Sequence, residues 1–147
     1  MKAILLTNLF ALLFTFNGYS QEKKVTIKEN LVSVNGSPVF ILFYNDYPMG
    51  YTLHNLKNEK LAVLRAYFYS DNQQVTVGNP QGRVGYFDVT FLNENMDKCE
   101  IAIVGGPKLL AKLIVFEELV KDEKLNESAV KQFCRINGTK FSEYRKQ

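Results

Sequence analysis

The hydrophobic pattern of this chain changes period once, at Gly105-Gly106-Pro107, and that change limits the folds open to it. Upstream the apolar residues alternate. In 84–92, Phe87, Val89 and Phe91 face one way and Tyr86, Asp88 and Thr90 the other, the two-residue repeat of a half-buried strand. The pattern returns in 98–104 with Cys99, Ile101 and Ile103, after a polar hairpin loop over 93–97. Downstream the spacing lengthens. Pro107 suits the first position of a helix, whose N–H has no partner there. Leu109, Leu113, Phe116 and Val120 then follow at helical spacing, joined by Leu110 and Ile114, which predicts one helix through Val120 with that stripe buried. Strands followed by helices predict an α+β fold: an antiparallel β-sheet of about five to seven strands, then two C-terminal α-helices packed on one face.

The remaining segments fit this plan. Residues 25–28 and 31–34 alternate weakly, and Asn35-Gly36 is a turn pair because both residues tolerate positive φ. Residues 39–44 are β-branched and aromatic, and a loop follows over 45–50 with Pro48 and Gly50 as breakers. Residues 51–56 and 60–70 form a hairpin across Lys57-Asn58-Glu59. The second of these also carries Leu61, Leu64 and Phe68 at helical spacing, but Val63, Tyr67, Phe68 and Tyr69 favour a strand. A polar loop spans 71–82, with a short strand at 75–77. Beyond a charged connector at 121–124, Asn126 is an N-cap and Leu125 packs on Val130 as a staple. The second helix, 127–136, buries Val130, Phe133 and Cys134 and stops at Asn137-Gly138. A short tail docks through Phe141. There is no internal repeat or linker, so 21–147 is expected to be a single α+β domain.

Residues 1–20 predict a cleavable signal peptide: Lys2 supplies the charge, 3–16 the apolar run, and Gly18-Tyr19-Ser20 the small residues before a cut at Gln21. The expected destination is outside the cytoplasm, periplasmic or secreted. The longest later apolar stretch, 109–120, is interrupted by Lys112, Glu117 and Glu118, so the mature chain is expected to have no transmembrane span. A net charge of +3 without a clustered basic face argues against nucleic acid as a partner.

Few residues suggest chemistry. His54 is the single histidine, no G-x-S-x-G or H-E-x-x-H motif exists, and a sheet-surface histidine is the expectation. Asn93, Asn95 and Asp97 begin like a calcium loop, but Lys98 and Val104 occupy the required Gly and Glu positions, so a hairpin loop is expected. Gly105-Gly106-Pro107-Lys108 lacks the P-loop pattern and is expected to be a strand-to-helix turn. Glu117 and Lys121 are expected to pair across one helical turn. No catalytic, metal or cofactor-binding residue is assigned. Tyr44, Tyr47 and Tyr51 lie with Asn45 and Asp46 in an aromatic-rich stretch of the type that binds protein or carbohydrate partners. Cys99 and Cys134 point at the same sheet–helix core, where either a disulfide or two buried thiols is open.

Ser20-Gln21 at the cut, the strand-rich middle, and the runs GPKLLAKLIV from Gly106 and KLNESAVKQF from Lys124 resemble small exported proteins of Bacteroidetes-type bacteria. The likeness covers most of the mature chain. It rests on capping and packing signatures and implies no activity or site residue. The expected function is that of a non-enzymatic exported protein with a binding or envelope-associated role. The alternative is a hydrolase or isomerase whose site is assembled from scattered Asp, Glu, Tyr and His54.

Overall fold

The computed structural model describes residues 22–103 and 105–145, so the leader expected over 1–20 lies outside the described residues. Seven strands form one antiparallel sheet in sequence order: β1 (Val25–Lys28), β2 (Leu31–Val34), β3 (Ser37–Asp46), β4 (Met49–His54), β5 (Lys60–Ser70), β6 (Arg83–Phe91) and β7 (Lys98–Ala102). Helix α1 (Pro107–Phe116), a two-stranded ribbon of β8 (Val120–Lys121) and β9 (Lys124–Leu125), helix α2 (Glu127–Asn137) and helix α3 (Lys140–Arg145) follow. The α+β class and the antiparallel sheet are as the sequence predicts.

Alternation builds the inner face. Phe40 and Leu42 on β3, Leu53 on β4, Ala62 and Leu64 on β5, and Val89 and Phe91 on β6 are all buried. Helix α1 covers this face beside β1 and α2 covers it beside β7. Their buried residues, Leu110, Ala111 and Ile114 on α1 and Val130 and Phe133 on α2, complete one core. Each large side chain buried this way contributes roughly 1.5–3 kcal/mol.

The predicted extent and face of α1 need correction. The helix ends at Phe116, and Leu109 and Phe116 are about half exposed, at 48% and 55%. Nearly every residue of Pro107–Phe116 is apolar, so spacing alone does not choose the face. The end is a Schellman motif: Glu118 at φ 53° takes the left-handed position, its N–H reaches the Val115 carbonyl, and the Leu119 N–H reaches that of Ile114. Leu119 turns into the core, and the expected connector at 121–124 is the β8–β9 ribbon instead. Glu117 and Lys121 therefore share no helix, and their expected pairing does not arise. Helix α2 has the predicted caps and buries Val130 and Phe133, whereas Cys134, expected to be buried with them, is only partly covered. The Asn126 side chain accepts from the Ala129 N–H, and Gly138 ends the helix at φ 58°.

Two smaller differences concern strands. The loop expected over 45–50 is a tight turn, since β3 runs through Asp46 and β4 begins at Met49. Gly50 passes so close to the Leu64 carbonyl that a Cβ there would strike it, which is why this position is glycine. The strand expected at 75–77 is only a bridge between Thr76 and Asn79, because Val77 has no surface to pack against and is fully exposed.

Two hairpin loops are closed by the same device. Buried Asn55 accepts from the Lys57 and Glu59 N–H groups and donates to the Glu59 carboxylate (2.6 Å) and the Glu123 carbonyl (3.2 Å). All four of its hydrogen-bonding positions are filled. Asn93 accepts from the Asp97 N–H and donates to the carboxylates of Asp97 and Glu127, each at 2.7 Å. The calcium-like spacing of Asn93, Asn95 and Asp97 is thus a hairpin clasp, and no group of three or more potential metal ligands occurs among the described residues.

Candidate functional site: an aromatic cleft beside helix α1

The β3–β4 register places Tyr44 opposite Tyr51, on the inner face shared with Phe40, Leu42 and Leu53. Their rings meet edge to face at 5.5 Å, and the Tyr51 ring meets Phe87 on β6 at 5.8 Å. Tyr44 is 52% exposed, whereas Tyr51 is partly covered. Beside Tyr51, where the first turn of α1 meets the sheet, lies a cleft of about 240 Å³. Tyr51, Phe87 and Ile101 line it from the sheet, and Gly105, Gly106 and Leu109 from the helix side. No charged side chain is among its walls.

Two of the three tyrosines singled out from the sequence are therefore brought together. Tyr47 is not: it sits at the hairpin turn with its side chain 97% exposed. The Gly105-Gly106-Pro107-Lys108 segment is a strand-to-helix turn, as expected, and it also forms one lip of the cleft. Gly105 adopts φ 70° and packs against the Leu109 side chain so closely that a Cβ would collide with it. No side chain caps the start of α1, so the positive end of its dipole is left at this lip. Burial, with a smaller contribution from Tyr44, pushes the Tyr51 hydroxyl above the ordinary tyrosine range, so it remains a hydrogen-bond donor.

His54 lies on the opposite face of the sheet. Its ring stands edge-on to Phe43 at 5.0 Å, and Nδ1 lies 3.1 Å from the Asn58 carbonyl oxygen. Cys99 on β7 and Cys134 on α2 are free thiols, near enough for each to influence the ionisation of the other. Burial raises the pKa of both, most strongly that of Cys99. That holds them as thiols rather than nucleophilic thiolates.

The outer face carries a second aromatic group that the sequence pattern did not single out. Tyr67 on β5 stacks on Tyr86 of β6 at 5.5 Å, Tyr69 meets Tyr86 edge to face at 6.3 Å, and Phe141 of α3 lies flat on Tyr86 at 5.3 Å and 9°. Glu100 holds α3 there. Its carboxylate is buried, at 3% exposure, and accepts from the Phe141 and Ser142 N–H groups at 2.7 and 2.9 Å. The alternation of Tyr67 with Tyr69 and the expected docking of Phe141 were signals for this face. What brings them together is the turn at Gly138, whose carbonyl accepts the Glu100 N–H from the free edge of β7.

Among the described residues no helix is long and apolar enough to cross a membrane. The chain matches no protein-family model, no curated protein and no solved structure.

Proposed function

We propose that this chain is a non-enzymatic exported binding protein whose partner inserts an apolar group, carrying an acceptor atom, into the cleft beside α1. One observation carries the reading: Tyr51 and Leu109 border an uncharged cleft of about 240 Å³ that opens beside half-exposed Tyr44. Its walls suit an aliphatic or aromatic group. The Tyr51 hydroxyl and the uncapped start of α1 suit an acceptor or anionic atom on that group. The cleft is smaller than most sites for drug-sized ligands, which favours a side chain or short acyl group over a large cofactor. Export is supported by the leader pattern of residues 1–20. The hydrolase or isomerase alternative is less well supported, because the one hydrogen bond of His54 among the described residues is to the Asn58 carbonyl and joins it to no Asp, Glu or Tyr side chain.

The test is capture of envelope partners by the mature protein, read by mass spectrometry, with Tyr51→Ala and Leu109→Asp as variants. Partners retained by the wild type and lost from both variants are expected. Retention by both would refute the cleft as the binding site. Intact mass of protein recovered outside the cytoplasm should begin at Gln21; full-length protein in the cytosol would refute export.

A further inference from the structure

We infer that the outer face holds a second site, separate from the cleft beside α1, that binds a neutral saccharide. The sequence builds its two walls independently. On one side, Glu100 fixes the first amides of α3, which lays Phe141 on Tyr86 and brings Tyr144 near Tyr69. On the other, the Asp71 carboxylate caps a 3₁₀ turn, Asn72–Gln74, by accepting from the Gln73 N–H at 2.9 Å. That turn places Gln73 and Gln74 in the lining of the same cleft as the rings. The walls enclose a cleft of about 390 Å³ lined by Tyr69, Asp71, Gln73, Gln74, Phe141 and Tyr144. Its size falls in the range of small-molecule sites.

The lining selects the ligand class. Tyr69 and Tyr144 offer flat apolar surface, and Phe141 only what its ring leaves between Tyr86 and the Lys140 ammonium, while one carboxylate and two primary amides offer planar hydrogen-bonding groups. A pyranose ring matches both, with C–H groups across its face and hydroxyls around its edge. An acyl chain would desolvate Asp71 and both glutamines without giving them partners, which is costly. A phosphate or nucleotide would need a cluster of cations, yet Lys140 is the sole cationic side chain lining the cleft, and the Asp71 carboxylate shares it. No group of three potential metal ligands is present among the described residues to bridge a phosphate.

The experiment is a titration of the mature protein, followed by amide NMR shifts, with cellotetraose, maltotetraose, xylotetraose and chitotetraose, and with decanoate and inorganic phosphate as the competing classes. At least one tetrasaccharide is expected to move the Tyr69, Gln73 and Tyr144 amides, with saturation below about 10 mM. Tyr144→Ala and Gln73→Ala, both at exposed positions that leave the fold intact, should each weaken that binding by about tenfold or more. Tyr44→Ala, on the other face, should leave it unchanged. No response to any of the four sugars, a response to decanoate or phosphate alone, or sugar binding indifferent to Tyr144→Ala and Gln73→Ala would overturn the proposal.

Discussion

The inner and outer faces of this sheet each carry an aromatic group, and the two groups end in opposite states. On the inner face Tyr44 and Tyr51 meet as a cross-strand pair at the end of the core, where α1 begins, and Tyr44 keeps half its surface. On the outer face Tyr67 and Tyr86 are also a cross-strand pair, here stacked, but α3 crosses over it and Tyr86 retains only 2%. The residues are of the same kind and the spacing in the strands is the same. The difference is a later element: the outer group has Phe141, anchored through Glu100, and the inner group has no counterpart among the described residues. Aromatic density along a strand therefore reports the capacity for contact. Coverage is decided by where the chain goes afterwards.

The two faces should respond differently to substitution. The largest effect is expected where α1 closes the inner face. Ile114→Ala should cost about 2–5 kcal/mol in a denaturant melt, the usual range for truncating a core aliphatic residue. If Ile114→Ala and Phe116→Ala cost the same, the buried face of α1 has been misassigned. Next comes the anchor of the outer face. Glu100→Ala should cost about 1–3 kcal/mol by leaving two amides of α3 unpartnered, and should raise hydrogen exchange in α3 before any other element. Unchanged exchange there would show that Phe141 stacking alone holds the helix.

The thiols give a pH test on the inner side. Burial raises both thiol pKa values in the folded state, so their contribution is fully present below the unfolded value of about 8.5 and is lost as pH rises toward the folded values. Tyr51 on the inner face and Tyr69 and Tyr86 on the outer face shift in the same direction but act only from about pH 10. Stability should therefore fall between about pH 8.5 and 10, by no more than about 1.4 kcal/mol per pH unit for each ionising thiol, and Cys134→Ala should reduce that slope. A slope unchanged in Cys134→Ala would mean the thiols are not its source. Alkylation of the unfolded, unreduced protein should label both cysteines. Labelling of neither would show that the pair is oxidised.

Smaller effects follow at the margins. Glu118→Gly should stabilise by up to about 1 kcal/mol, since glycine takes the left-handed position at the end of α1 without steric cost. Destabilisation would show that the Glu118 side chain matters more than its backbone. Tyr47→Ala should change stability by less than about 0.5 kcal/mol, as an exposed side chain does. A larger loss would place Tyr47 against the domain and not in solvent.

Much of this layout is legible from residues alone. Asn35-Gly36, Lys57-Asn58-Glu59 and the alternation through Phe87, Val89 and Phe91 each specify a local conformation, and a meander needs little beyond local conformations. The same holds for α2, where Asn126 and Gly138 mark both ends. The end of α1 was hidden because glutamate fills the place where glycine is the usual signal. Its buried face was hidden because Leu109, Leu110, Leu113, Ile114 and Phe116 surround the helix with apolar surface. Glu100 gave no sign of burial, since a polar residue on the outer face of an edge strand is ordinary until a distant segment covers it. The outer cleft joins Tyr69 and Gln73 to Phe141 and Tyr144, and no pattern within either segment announces the other.

The strand order has a consequence for how the chain comes together in time. Every strand of the sheet pairs with its neighbour in sequence, so each hairpin can close as soon as its second half is available, with little loop entropy to overcome. A chain delivered from its N-terminus could build the sheet strand by strand. The free edge of β7 is then met by the Gly138 carbonyl and by the start of α3, close to the C-terminus. Until that segment arrives, the last strand offers unpaired backbone to any other chain. The C-terminal turn is thus the closing stitch of the molecule, and a copy cut short before it would be the one prone to self-association.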